Sequence, residues 1–548
     1  MIRVRALLNK IDLASPEEVN NYQKQAISIL KLLPNSQTKA FTLINLANTA
    51  AQLDNFQFQA ETLNLALQTA KSINDQRTVS FALGALGHLY EKQNRLQEAL
   101  RVTQQAQLAA QAVNSIDSLY RWEWQAARIY KQQGAKADAI VAYKQAVNSL
   151  QQIRNDIAVT NQDFQFDFRD EVEPVYRELM ELLLENGSLP EVLQLSELLK
   201  LTEVQNYFQD ECSQIKTAID SVNAVFIHSN EAIITSFILK QQSFVVLRLS
   251  NGALKSYPIA LNAQQMFDNV LSFRYALEDI ATNEYLVLSQ KLYALLLQPL
   301  EADLNQAKTK VNTFVNDGIL RNIPMAALYD GKQFLVEKYT IANSLGFNLP
   351  RSTSTNTLDR TTIFGLSLAS PPLPVLPNVL AEAQAIKDVT AGEEFLNSDF
   401  TVSNFKKQVQ NGSQVIHVAT HGSFGLSAQT TYLQAYDRRI ILKELDTIFA
   451  QRQEPIELLT LSACETASGD SRATLGLAGI AARNGVKNVL ASLWFVNDIA
   501  VLPLMEDFYT LIAHSNYSKA QALQAAQIKL IQNQIHPSVW AAFILLHS

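Results

Sequence analysis

The sequence predicts an all-α solenoid of helical repeats followed by an α/β domain built on a mainly parallel sheet. Three observations carry this reading. A forty-residue self-similarity runs through the N-terminal part, short β-rich runs begin after Cys212, and buried-type strands then alternate with helical stretches toward the C-terminus. The composition, 47% hydrophobic and 18% charged over 548 residues, suits about two to four domains with ordinary cores. The two cysteines, Cys212 and Cys464, are too few for a disulfide-dense scaffold or an all-cysteine zinc module. A formal net charge of −7 supplies no basic field for phosphates, so no nucleic-acid partner is expected. The apolar run near Met1 is too short for a signal peptide, and no stretch approaches the roughly 18–20 apolar residues that span a bilayer. The expectation is a cytoplasmic protein with no membrane partner.

Sliding Leu83–Ala106 forward by forty places sets Tyr90 on Tyr130, Asn94 on Gly134, Ala99 on Ala139 and Ala106 on Ala146. Sliding it back sets Leu83 on Leu43, Leu86 on Leu46, Gly87 on Ala47 and Ala106 on Ala66. Each unit reads as two amphipathic helices around a polar turn such as Glu91–Arg95, with small residues where the paired helices approach. This spacing of Leu, Gly or Ala, Tyr and Ala resembles tetratricopeptide (TPR) repeats, with a period longer than their usual length of about 34 residues. Residues 1–165 are assigned to these repeats, with Ser15–Leu33 as a cap or degenerate first repeat. Two readings remain for them: a concave surface that recognises a protein activator or substrate, or a rigid spacer. Asn45, Asn48 and Asn64 are polar enough to bond a guest backbone and equally suit a solvated face. Residues 166–212 read as a helical connector, with helices over Val172–Asn186 and Leu189–Asp210.

After Cys212, the runs Asn223–His228, Ala232–Leu239 and Ser243–Leu249 predict an antiparallel meander. Helices are expected at Ala263–Leu277 and Asn283–Leu304. Val311–Val315, Thr361–Leu366, Val415–Ala419, Glu457–Ser462 and Asn488–Leu493 then read as buried strands of a largely parallel core. Two loops interrupt it, Arg351–Asp359 and the proline-rich Ala369–Asn378, each read as a mobile or cleavable segment.

In open parallel sheets, ligands bind beyond the carboxyl ends of the strands, so residues just after buried strands are where chemistry is sought. Val415–Ala419 runs into Thr420-His421-Gly422, and Leu458–Ser462 runs into Ala463-Cys464-Glu465. On neighbouring strands, Cys464 and His421 would form a nucleophile and its acid/base partner. Gly422 has no Cβ, which lets its backbone N–H approach an oxyanion, and the Cys464 N–H is the second donor. His417, in mid-strand, reads as a core or supporting histidine. A zinc site from His417 and His421 is not expected, because four-residue spacing shares a face on a helix and this segment reads as a strand.

These segments resemble the CHAT family of cysteine peptidases, the caspase- and separase-like group of clan CD, whose catalytic domain commonly follows TPR repeats. The resemblance rests on His417-Val418-Ala419-Thr420-His421-Gly422 and on Leu461-Ser462-Ala463-Cys464-Glu465-Thr466-Ala467. Three further stretches support it: Asp317–Leu328, Ala491–Asp498 and His536–Phe543. It implies a caspase-like α/β fold, with a non-catalytic half over 213–350 and a catalytic half over 351–548. It also implies Cys464 as nucleophile, His421 as acid/base and Gly422 as the oxyanion glycine, with no metal or organic cofactor required.

Pocket residues are less constrained. Glu465, Trp494 and Asp498 flank the nucleophile or the loop after the next strand; acidic Glu465 and Asp498 would favour a basic substrate side chain, although Asp498 equally suits a helix cap. Arg321 would either attract an acidic substrate group or simply pair with a carboxylate on the surface. The small, polar segment Thr466–Thr474 is expected to order when substrate or activator binds. The leading expectation is a regulated cysteine endopeptidase acting on a protein substrate, its repeats recognising activator or substrate. The rival is a non-catalytic adaptor whose peptidase-like domain is a docking module.

Overall fold

The computed structural model describes residues 1–11, 13–51, 55–160, 171–208, 230–344, 346, 358–370, 373–423, 431–452, 454–465, 484–496 and 498–547. They form two compact units, Met1–Asn186 and Gly187–Ser548.

The first unit is helical: α1 (Ile2–Ile11), α2 (Pro16–Leu32), α3 (Gln37–Ala51), α4 (Phe56–Ser72), α5 (Gln76–Lys92), α6 (Leu96–Gln111), α7 (Ile116–Gln132), α8 (Lys136–Thr160) and α9 (Glu173–Glu185). The expected cap is α2, entered through Ser15, whose capping box with Glu18 satisfies first-turn donors. The helices end on a regular beat. Asn74, Asn94, Asn114 and Gly134 all take positive φ, twenty residues apart, and Asn and Gly are the residues that tolerate this left-handed turn.

The forty-residue period becomes contacts between successive hairpins. Arg77 pairs with Asp117 at 2.5 Å, and Gln125 Nε2 donates to Gly84 O at 3.2 Å. The small residues have a steric cause: a Cβ on Gly84 would lie 2.2 Å from the Trp122 ring, and one on Gly87 2.4 Å from Gln125 Nε2. Trp122 in turn donates its indole N–H to Ser80 Oγ at 2.8 Å. Beyond α8 the offset lengthens to fifty, as in Lys131–Glu181 at 2.5 Å, because α8 is longer than the preceding helices.

The second unit opens with α10 (Leu189–Phe208) and, among the described residues, contains a thirteen-stranded mixed sheet. Its strands are β1 (Glu231–Phe237), β2 (Ser243–Leu249), β3 (Leu254–Ile259), β4 (Val311–Val315), β5 (Thr340–Ser344), β6 (Thr361–Gly365), β7 (Glu393–Leu396), β8 (Val415–Ser423), β9 (Tyr432–Gln434), β10 (Arg439–Ile441), β11 (Leu458–Glu465), β12 (Asn488–Ser492) and β13 (Phe543–His547). The main path runs β10-β9-β8-β11-β12-β13-β5-β4-β1-β2-β3, with β6 and β7 added beside β8. The antiparallel meander is β1-β2-β3. The expected run Asn223–His228 lies outside the described residues; β3 was missed because its side chains are largely exposed and Pro258 interrupts it.

Two sets of parallel strands run in opposite directions. One is β6, β7, β8, β11 and β12; the other is β1, β4, β5 and β13. They meet where β12 pairs antiparallel with β13. The two halves are therefore one continuous sheet, joined by the C-terminal strand. Each set presents its carboxyl ends at the edge where the other set begins. A core on both faces, from Ala232 and Leu247 at one end to Val415, Leu459 and Val489 at the other, matches the near-continuous apolar strands read from the sequence.

Candidate functional site

β8 and β11 are adjacent and parallel, in the register Leu458↔Val415 through Ser462↔Ala419. The register then shifts, and Cys464 faces Gly422. Between these pairs two residues of β8, Thr420 and His421, oppose the single residue Ala463, which is a bulge. Bulges bend a strand and re-aim its side chains, and they concentrate beside active sites. The pairing partner of β8 also changes here: β6 covers Val415–Ala419, and β9 covers Gly422 and Ser423. Thr420 holds the transition, its Oγ1 donating to Gln434 O at 2.6 Å. Both strands thus continue through the candidate residues instead of ending before them, and the backbone of Cys464 sits beside the His421–Gly422 step.

His421 is buried, and its Nε2 lies 2.9 Å from the carbonyl oxygen of Pro374. A carbonyl only accepts, so Nε2 carries the proton and Nδ1 is the basic nitrogen of the neutral ring. The partner comes from the proline-rich loop after β6, which the sequence suggested was mobile or cleavable. Its described residues are tied down: Leu376 N–H donates to Ser367 O at 3.1 Å, and Ser370 and Leu373 form a bridge. Pro374 had no visible signal as a site residue, because its contribution is a backbone carbonyl.

His417 is fully buried, as its mid-strand position suggested. Its Nε2 lies 3.1 Å from Glu382 Oε1, not aligned as a hydrogen bond, and its Nδ1 lies 3.2 Å from the Tyr509 hydroxyl. That hydroxyl also meets Thr460 Oγ1 on β11 at 2.9 Å. Burial pushes the Tyr509 phenol well above its ordinary range, so it stays protonated. Among the described residues, no group of three or more His, Cys, Asp or Glu side chains is placed to hold a metal ion.

The proposed pocket residues scatter. Trp494 follows β12 but is buried, its indole N–H donating to Ser538 O at 2.8 Å and its ring lying 5.5 Å from the Arg274 guanidinium carbon. Arg321 is at the wrong edge of the sheet. It follows β4, whose carboxyl end points opposite to that of β11, and it is buried in a 2.8 Å ion pair with Glu203 of α10. Arg321 therefore lines no pocket around Cys464, and its carboxylate partner is in the interior, not on the surface. The side chains of Cys464, Glu465 and Asp498 and the segment Thr466–Thr474 lie outside the described residues.

An α-helical repeat unit and an α/β unit with a caspase-like sheet define a two-part protein of repeats and peptidase-related domain. Residues 286–548, just under half of the chain, match the model of the CHAT domain, a domain of the caspase-like cysteine-peptidase clan. A chain of the separase–securin complex of Saccharomyces cerevisiae aligns with 100% of this chain and 49% of its own length, at 11% identity and a TM-score of 0.50. At that identity the likeness is one of fold, and this chain spans about half of that one. BtubC (BKLC) from P. vanneervenii aligns with 36% of this chain and 72% of its own, at 16% identity and a TM-score of 0.27, too low to support an argument. No curated protein matches the chain. Among the described residues, no helix is long and apolar enough to cross a membrane.

Proposed function

We propose that the protein is a regulated cysteine endopeptidase, with Cys464 as nucleophile and His421 as acid/base. The observation that carries this reading is the register that sets Cys464 against Gly422, beside a His421 ring whose Nε2–H is engaged by Pro374 O. In the proposed cycle His421 Nδ1 removes the thiol proton, and the thiolate attacks the peptide carbonyl carbon. The backbone N–H groups of Gly422 and Cys464 stabilise the oxyanion; loss of one such donor typically lowers the rate by about 10²–10³. The C–N bond breaks as the imidazolium protonates the leaving amine. Water, deprotonated by His421, then cleaves the thioester, releasing the carboxylate product and restoring the thiol.

The Pro374 carbonyl serves this cycle by fixing the tautomer and stabilising the imidazolium. The helical repeats suit recognition of a protein, either the activator or the substrate. A basic residue before the cut remains the proposed preference, through Glu465 and Asp498. The domain boundaries proposed are repeats over 1–165, connector over 166–212 and halves meeting near residue 350.

The test is labelling of the full chain with a lysyl acyloxymethyl ketone, paired with substrate trapping by Cys464→Ala in the source cell. The expected result is modification at Cys464 in preference to Cys212, with trapped proteins that the active form cuts. Equal reactivity of the two thiols, with no cellular effect of Cys464→Ala, would establish the adaptor reading instead.

A further inference from the structure

The buried Glu382–His417 contact lies outside the chemistry just described, yet it sits on the strand that carries His421. The chain from Pro374 to Glu382 runs back along β8, and its contacts follow in order. Pro374 O meets His421, Leu376 and Val379 cluster with Ala419, and Glu382 meets His417. Three residues of β8, at alternate positions, are thus matched by one short segment. Its last part is the first turn of the helix Val379–Thr390, so little slack separates the Glu382 anchor from the Pro374 carbonyl.

Both members of the lower contact are nearly inaccessible, with His417 0% and Glu382 2% exposed. A buried polar side chain taken away from its partner is costly whatever its charge, which makes sliding of the segment along β8 unfavourable. The anchor is itself braced. Tyr509, on the helix Asp498–His514, bridges His417 to Thr460 of β11, so the strands bearing His421 and Cys464 share one polar contact. From the other side Gly365, at the end of β6, makes room for the segment and for β7: a Cβ there would lie 2.9 Å from Val379 Cγ1 and 2.8 Å from Leu396 Cδ2.

We propose that Glu382 and His417 are positioning residues of the site: by pinning residues 374–382 in register on β8, they hold the Pro374 carbonyl against His421 Nε2–H. The effect on catalysis rests on the peptidase reading; the effect on the His421 ring does not. With the anchor gone, the carbonyl drifts and His421 samples its other tautomer, which cannot take the thiol proton from Nδ1. Misplacement of a catalytic group by about 1 Å costs on the order of 10²-fold in rate.

The experiment uses the full-length protein with ¹⁵N-labelled histidine, His421 being assigned by its absence in His421→Ala. In the native protein His421 is expected as the Nε2–H tautomer with a slowly exchanging ring proton. In His417→Ala and Glu382→Ala that proton should exchange rapidly and the ring should show mixed tautomers. Inactivation by the lysyl acyloxymethyl ketone should slow about 10²-fold in its maximal rate, with half-saturation changed less than about twofold. His417→Gln, which keeps an N–H toward Glu382, should recover most of both signals.

Gly365→Ala presses on Val379 and Leu396 while leaving Glu382 and His417 in place, and should reproduce the tautomer loss, which keeps the test open if the buried-pair variants do not fold. A folded His417→Ala, or a folded Gly365→Ala, with an unchanged His421 ring would overturn the proposal. If the native chain takes no label while the ring responds as described, the positioning role stands and the peptidase reading falls.

Discussion

The two edges of the sheet are built from the same parts and used differently. At one edge the carboxyl ends of β8 and β11 bring His421, Gly422 and Cys464 together over a bulge. At the opposite edge, roughly 17 Å away across five-residue strands, the carboxyl ends of β1 and β4 meet buried charges. Arg321 pairs there with Glu203, and Asp317 accepts the Ile238 N–H at 2.8 Å. Further along that edge, before β11 and β12, Glu457 pairs with Lys487 beside the buried Lys519. Equivalent strand ends therefore do not make equivalent sites. Where side chains satisfy one another in the interior they secure the fold; where a ring nitrogen is held by a backbone carbonyl, its other nitrogen remains for chemistry.

Substitutions on the two edges should separate activity from stability. The largest effect is expected from Cys464→Ala, which should lower peptide cleavage by on the order of 10⁴-fold or more while the thermal midpoint stays put; product formation and calorimetry check the two halves of that statement. Arg321→Leu should do the reverse. It removes the buried ion pair with Glu203 and should cost about 3–5 kcal/mol in denaturant unfolding, whereas the double change to Arg321→Met and Glu203→Leu should recover most of the loss. A single variant that left stability intact would show that the far edge is not the structural one.

Lys519 supplies a pH-dependent version of the same comparison. Burial lowers its pKa from 10.5 to about 8. Below pH 8 both folded and unfolded chains carry the proton, and the folded state bears the full penalty of a buried charge. Between pH 8 and 10.5 the unfolded chain binds more protons than the folded one, so this group's penalty is relieved as pH rises. Lys519→Met should accordingly be more stable than the native chain at pH 7, by roughly 3 kcal/mol, with the gap closing toward pH 10.5. Parallel unfolding curves across that range would remove Lys519 from the account. The smallest effect is expected at the bulge, where Thr420→Val loses the bond to Gln434 O, about 1 kcal/mol. A larger fall in Cys464 labelling than in stability would show how closely that edge depends on local geometry.

Much of the site was legible because it lies in short, local patterns. Apolar runs over Val415–Ala419 and Glu457–Ser462 identified two buried strands, and the residues proposed for the chemistry follow them. The spacing of His417 and His421 also separated an inner histidine from an outer one. The Pro374 carbonyl had no such pattern, since every residue has a carbonyl and only the folded loop selects one. Glu382 is thirty-five positions from His417, and nothing in its own surroundings marks it as buried. Arg321 was misplaced for a related reason: the order of motifs along the chain says nothing about strand direction, and β4 runs opposite to β11.

By itself the sequence determined what depends on near neighbours: helices from apolar periodicity, the forty-residue repeat from the recurring Leu, Gly or Ala, Tyr and Ala, buried strands from apolar runs, and the pair of motifs that contain His421 and Cys464. Only the tertiary structure decided what depends on distant partners. It inserted β13 between β12 and β5, turned the two strand sets against each other, shifted the register at Thr420–His421, and chose Pro374 and Glu382 as companions of the two histidines. The physical reason is that periodicity and capping are properties of a few consecutive residues, whereas strand order, direction and buried pairing are settled by packing the whole sheet around one core.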